Sequence, residues 1–479
     1  MAIVTVEFPL YGSHLVQRET RIVTSEVAIM NQRALVFAAD SATTVSYYLP
    51  SGKRITRYFK GANKLFQLSA TQPVGLMIYG SGSLHDVPWE VIIREFRRHL
   101  GSRACDKLAT YSEQFFEFVR THTGLFPDDT RRRGLLDAAF RAALRAWFEV
   151  KEGDAVPPPA AESPEASPVG EAAPVTAPPA TASEGVAVTG APDPTAALRA
   201  RIAHLLSQWR AAPAMEPLTV EDVAAAIAAH VSSVAERITS AVDAMGITDP
   251  ALIPMLAEIA IHRVMKNFEN SLESTGIVIG GYGESDYFPA FESHRCFGFL
   301  DTHFLYKREV GKAVSRESPA VMESFAIGSM IDTFRMGIGP ETFQCVVEAT
   351  SKTLKQFAST VRDAVAPMAD IPHLDELVSD AARAHLDDWY GSSVLTHFSP
   401  LSRVIGALPV TDMAALARSL IELESLKERV TQESESVAGP IDVAAISKHD
   451  GFIWIERKHY FRPELNPRFF DRQHSHDRS

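Results

Sequence analysis

Short apolar runs separated by polar turns dominate the first hundred residues. The stretch from Thr24 to Asp40, TSEVAIMNQRALVFAAD, holds two of them, EVAIM and ALVFAA, around a polar turn. That pattern predicts a β-hairpin. A turn centred on Gln32 places Thr24 opposite Asp40, to within one residue, because register follows the turn. KRITRYF alternates polar and apolar positions, NKLFQLS and VGLMIYG follow, and each predicts a strand. In DVPWEVIIREFRRHLG the period changes. Val91, Ile92, Phe96 and Leu100 recur at helical spacing, Pro88 stands early, and Gly101 stops the helix.

Beyond residue 100 the chain divides by composition. Residues 101–150 form a helical insertion rich in Ala, Leu and Arg, and 196–272 continue it. Between them, 151–195 are rich in Pro, Ala, Ser and Glu and lack aromatic residues. Such a segment buries too little apolar surface to offset its ordering entropy, which predicts a disordered linker. Residues 273–365 carry the strands TGIVIGGYG, DYFPAFES and CFGFLD, then two helical stretches, SPAVMESFAIGSMIDTFRM and GPETFQCVVEATSKTLKQFASTV. Residues 366–434 are helical, and 435–460 hold a last strand pair, GPIDVAAISKH with GFIWIERK. Residues 1–23 stand apart as an extension or propeptide, and 461–479 as a tail. The last strand pair is too short for a stable sheet alone. Strands from distant parts of the chain are therefore expected to share one core. Two domains split at the linker are the alternative.

Composition narrows the classes. The chain has 479 residues and a formal net charge of −12, which argues against non-specific binding to nucleic acid. Its three cysteines show no CxxC spacing, so neither a disulfide framework nor a zinc site is expected. No long apolar run predicts a transmembrane helix, and MAIVTVEFPLYGSHLVQRE does not read as a signal peptide. A soluble cytoplasmic protein with no cofactor or metal is the expectation. The paired glycines of GIVIGGYG fit a hairpin better than a nucleotide loop, because no helix pattern follows.

The hairpin ends carry a hydroxyl and a carboxylate, and Lys64 opens a further apolar run. Thr24 and Asp40 lie sixteen positions apart, Thr44 falls in SATT, Lys64 starts KLFQ, and Gly80 follows VGLMIY. This spaced set resembles the catalytic β-subunits of proteasomes and their bacterial relatives, the N-terminal nucleophile (Ntn) hydrolases. The later segments IVIGGYGESDYFPAF, AIGSM and GPIDVAAISKHDGF resemble that family too. The resemblance covers roughly 24–100, 275–365 and 435–458, and leaves 101–272 and 366–430 unexplained. It implies an α+β fold, a four-layer α/β/β/α sandwich with a helical insertion.

It also implies roles. Thr24 would be the nucleophile, activated by its own free α-amine. Asp40 and Lys64 would orient and tune it, Gly80 N–H would hold the oxyanion, Ser329 would support the site, and Thr44 would bind substrate backbone. The substrate would be a peptide or protein, and relatives form rings, which suggests a homo-oligomer. Three features depart from the family pattern. Twenty-three residues precede Thr24, Val23 stands where the family has Gly, and the amine-supporting Asp and Ser positions fall near Ser434 and Val437. Ser436 could substitute if the register slips by one. A non-catalytic scaffold or assembly subunit and a small-molecule amidase are the alternatives.

Overall fold

The computed structural model describes residues 18–22, 25–48, 54–152, 194–364, 373–431, 437–459 and 461–468. Most of the expected linker, and Thr24 itself, lie outside them. The first element is β1 (Arg18–Ile22), which the hydrophobic pattern does not announce. The expected hairpin follows as β2 (Ser25–Asn31) and β3 (Ala34–Ala39), with every residue of both strands buried. Burial on both faces is why these runs are continuously apolar. Their register is one residue off the expected one: Met30 faces Leu35 and Glu26 faces Ala39. The loop is the pair Gln32–Arg33, so the turn centres between two residues. Asn31 holds it, its Oδ1 accepting from the N–H groups of Arg33 and Ala34. Asp40 therefore faces Ser25, and its N–H donates to the Ser25 carbonyl at 3.3 Å.

Four strands follow: β4 (Thr43–Tyr48), β5 (Arg54–Phe59), β6 (Leu65–Gln67) and β7 (Val74–Ser81). The two-residue strands β8 (Ser83–Leu84) and β9 (Val87–Pro88) lead into α1 (Trp89–Leu100), capped as expected by Gly101 at φ 60°. Then come α2 (Leu108–Thr121), α3 (Asp128–Glu152), α4 (Pro194–Ala211), α5 (Val220–Ser240), α6 (Val242–Met245), α7 (Leu252–Lys266) and α8 (Phe268–Ser271). From α3 onward these helices have their own core, with Trp147, Trp209 and Leu256 buried, and it meets the strands through Phe297, Leu300 and Leu305.

The second set of strands is β10 (Thr275–Gly281), β11 (Ala290–Leu300), β12 (His303–Ala313) and β13 (Ala320–Ala326). DYFPAFES and CFGFLD thus belong largely to one eleven-residue strand rather than two. SPAVMESFAIGSMIDTFRM is not one helix. Its first half is β13, and only its second half is α9 (Ser329–Met336). The reason is tertiary: β13 pairs with the free edge of β2, from Ala320 opposite Asn31 to Ala326 opposite Ser25. The rest is α10 (Pro340–Ala364), α11 (Leu374–Ser393), a π-helical turn at Val394–Phe398, α12 (Ser399–Ala407), α13 (Val410–Thr431), β14 (Asp442–Ser447) and β15 (Gly451–Glu456).

The fold is of the mixed α+β class, with two large antiparallel sheets and the small β8–β9 pair among the described residues. The larger runs β12-β11-β10-β7-β1-β4-β5, with β6 also on β7; the smaller runs β13-β2-β3-β14-β15. Each sheet combines strands from both halves of the chain. Between the sheets, Met30, Leu35 and Phe37 meet Met77, Val278 and Phe291. The outer face of the larger sheet packs Ile78 and Ile277 against Trp89, Phe96 and Phe115 of α1 and α2. The outer face of the smaller sheet packs Ile29 and Val36 against Ile405, Met413 and Leu420. The sheets approach closely at Gly280, where an added Cβ would stand 2.5 Å from Leu35 Cδ2. GIVIGGYG is thus a strand paired with β7 and β11, with its glycines at a packing constriction.

Candidate active site

Asp40 follows β3 directly and is 1% exposed. Its carboxylate is fully engaged. Oδ1 accepts from Lys64 Nζ at 2.5 Å and from Ser25 N at 3.2 Å. Oδ2 accepts from Ala42 N at 3.1 Å and Ala438 N at 2.9 Å. A buried carboxylate is tolerable only when paired and hydrogen-bonded, and here three backbone donors and one ammonium do that. Lys64, also 1% exposed, reaches Asp40 from the residue before β6. The two residues that the sequence separates by 24 positions are thus one ion pair, beside the start of β2.

Gly80 lies in β7 at φ +86°, and an added Cβ would stand 2.7 Å from the Ser274 carbonyl oxygen. That position requires glycine on both counts. Ser81 N–H donates to Ser274 O, and Ser81 O accepts from Thr275 Oγ1, both on the β10 side. Backbone groups alternate sides along a strand, so Gly80 N–H is directed toward β1. β1 lies between β7 and β4, with Ile22 opposite Gly80 and Arg21 opposite both Ser81 and Thr44. Thr44 is buried in β4. The residues expected to hold an oxyanion and a substrate backbone therefore flank one strand position, and the segment that precedes Thr24 fills it. β1 ends at Ile22 in the larger sheet and β2 begins at Ser25 in the smaller. Val23 and Thr24, between these strands in the sequence, lie outside the described residues.

Ser329 is not brought to Asp40 or Lys64 by any hydrogen bond among the described residues. It opens α9 and belongs to a cluster with α13. Its Oγ donates to Glu424 Oε1 at 3.0 Å and accepts from Lys427 Nζ, while Met330 N donates to Glu424 Oε2 at 2.7 Å. Glu424, fully buried, caps the helix start, where a carboxylate is favoured by the unpaired N–H groups and the helix dipole. Val437 is buried, and Ser434 and Ser436 lie outside the described residues. Its neighbour Ala438 supports Asp40 instead, through the backbone, so no particular side chain is needed there.

Glu26 escapes a motif reading. It is fully buried, and its Oε1 stands 3.6 Å from Lys64 Nζ. The available signal was a lone carboxylate inside an apolar strand, on the face of period two that also carries Ala28 and Met30. A second pair adjoins it. Asp442, opposite Ala39, accepts from Lys458 N at 2.8 Å and pairs with Lys458 Nζ. Burial lowers the proton affinity of Lys458, and Asp442 opposes that effect. Among the described residues no cluster of His, Cys, Asp and Glu is placed to hold a metal ion, and no helix is long and apolar enough to cross a membrane.

No protein-family model matches the chain, and no curated protein matches it.

Proposed function

We propose that this protein is an Ntn amidohydrolase of the proteasome-like kind, with the four-layer sandwich of that family, and that it cleaves peptide bonds through Thr24. The observation that carries the reading is the buried Asp40–Lys64 pair at the residue where β2 begins, with Gly80 N–H directed at the strand just upstream. In this scheme the Val23–Thr24 bond is cut first. The freed α-amine then takes the Thr24 hydroxyl proton as the oxygen attacks the substrate carbonyl. Gly80 N–H stabilises the oxyanion. The proton passes to the departing amine, and water hydrolyses the acyl ester. Asp40 and Lys64 hold a fixed charge pair beside the nucleophile.

Intact mass and N-terminal sequencing of the purified chain test this. Loss of residues 1–23 in wild type, but not in Thr24→Ala, is the expected result. Full-length protein that resists a Thr-directed electrophile would refute it. A second reading, a non-catalytic scaffold of the same fold, is favoured by β1. A strand already paired on both sides beside Gly80 and Thr44 suits a permanent structural element as well as a propeptide.

A further inference from the structure

The helices α10 and α11 form an antiparallel hairpin outside both sheets. Phe343 stacks on Trp389 near its base, with ring centroids 5.3 Å apart, and Arg362 pairs with Asp375 near its tip at 3.2 Å. Ser393 Oγ donates to the Met336 carbonyl and ties the base to α9. Among the described side chains, Ala358 is the only buried one of α10 and Ala382 the only buried one of α11. These two mark the seam between the helices. On α10 it continues through Val347, Ser351 and Leu354, at spacings of three and four. Each helix carries a second seam at the same kind of spacing. On α10 it is Val346, Thr350, Thr353 and Phe357; on α11 it is Leu377, Ala381, Ala384 and Asp388. At about 100° per residue, both second seams fall on one side of the hairpin. That side is in water: Phe357 is 66% exposed and Leu377 58%. Asp388 and His385 are its only ionisable groups, whereas Lys352, Lys355, Glu376, Arg383 and Asp387 all lie on the opposite side. A helix pair solvated on both sides has no reason to segregate its charges in this way.

We propose that this face packs on the same face of a second copy of the chain, closing a four-helix bundle across a two-fold axis. A helix in such a bundle touches two neighbours and so carries two seams. Both α10 and α11 have that pattern, and a second copy supplies the two missing helices in one piece. A two-fold contact is self-complementary, so one apolar face is enough. The size fits as well. α11 has 20 residues, about 30 Å of helix, and two helices side by side span roughly 20 Å. The face therefore offers on the order of 600 Å² per copy and 1,200 Å² for the pair, the lower end of specific interfaces. Asp388 lies toward the base end of the face, where the rim of an interface tolerates charge. No step of the proposed hydrolysis depends on this contact.

Sedimentation equilibrium of the full chain, from about 1 to 100 μM, tests this in the range where interfaces of modest area associate. Wild type should reach twice the monomer mass. Phe357→Asp on one helix and Leu377→Asp on the other each place a carboxylate in the face, twice per dimer by symmetry. Each should raise the dissociation constant at least about tenfold. The double variant Lys352→Glu with Lys355→Glu, on the charged side, should leave that constant within about twofold of wild type. Far-UV circular dichroism checks that the helices persist. A wild type that stays monomeric throughout overturns the proposal. So does a dimer, or a larger assembly, that neither Asp variant weakens, since it then forms through another surface. Equal weakening by the lysine variant overturns the assignment of the face. If one Asp variant loses helix, the other decides alone, because the two lie on different helices.

Discussion

Lys64 Nζ lies 2.5 Å from Asp40 Oδ1, and each side chain is 1% exposed. The pair is enclosed by the Ser25, Ala42 and Ala438 N–H groups on the carboxylate side and by Glu26 on the lysine side. Removing the lysine charge strands a carboxylate away from water. Lys64→Met should therefore destabilise the fold by about 3–5 kcal/mol, read as a lower urea midpoint at pH 7. The double variant Lys64→Met with Asp40→Asn should recover part of that loss, because it removes the stranded charge as well. Equal stability of the Met variant and wild type would show that the pair is not enclosed as described.

The strand β1 makes a second prediction. Thr20 sits opposite Val45, at the centre of its pairing with β4. Thr20→Pro removes a backbone donor and cannot occupy a central strand. It should release β1, so that amide exchange rises in β4 and at the end of β7 while the β2–β3 hairpin keeps its protection. Uniform exchange across all of these strands would contradict the topology.

Gly80 is constrained twice, by its positive φ and by the Ser274 carbonyl. Gly80→Ala should cost about 1–3 kcal/mol, measured by thermal or urea unfolding. If the hydrolase reading holds, the same variant should also slow the loss of residues 1–23, because the methyl group crowds the N–H expected to hold the oxyanion. Wild-type stability in the variant would remove the steric argument.

Three histidines predict the response to acid. Burial is the main cause that lowers His85, His262 and His294 to about 4 from an ordinary value near 6.5. The neutral form of His85 is in use, since its Nε2 accepts from Phe299 N at 2.8 Å. A depressed value in the folded state means that the unfolded chain binds more protons between pH 6.5 and 4. Stability is full above pH 6.5 and falls as the pH drops toward 4. The melting temperature should thus decline from pH 7 to pH 5. His294→Leu, which leaves an apolar side chain against Phe116, should flatten part of that decline.

The elements most legible in the sequence were those whose pattern matched their burial. EVAIM and ALVFAA are buried on both faces and read as strands; VIIREFRRHL buries one stripe and reads as a helix. β1 and β4 were not legible. RETRI and TTVSYY are polar enough to pass for connections, and they become strands by pairing with one another. AVMESFA was misread as helix because its local composition permits one, and the open edge of β2 decided otherwise. In the candidate site, Asp40 and Lys64 were visible because their residue types stand out at the ends of apolar runs. The one-residue shift in register was invisible, because it depends on Asn31 folding its side chain back onto the turn.

By itself the sequence determined which residues are available: a hydroxyl at 24, carboxylates at 26 and 40, a lysine at 64, and a glycine at 80. The tertiary structure alone decided which of them meet. Lys64 pairs with Asp40 because two strands from separate hairpins converge there, and the support for Asp40 comes from a backbone N–H at Ala438, almost 400 positions away. Ser329 was drawn instead to Glu424 and Lys427. A helix start must satisfy its own N–H groups, and α13 brought a buried carboxylate to do so.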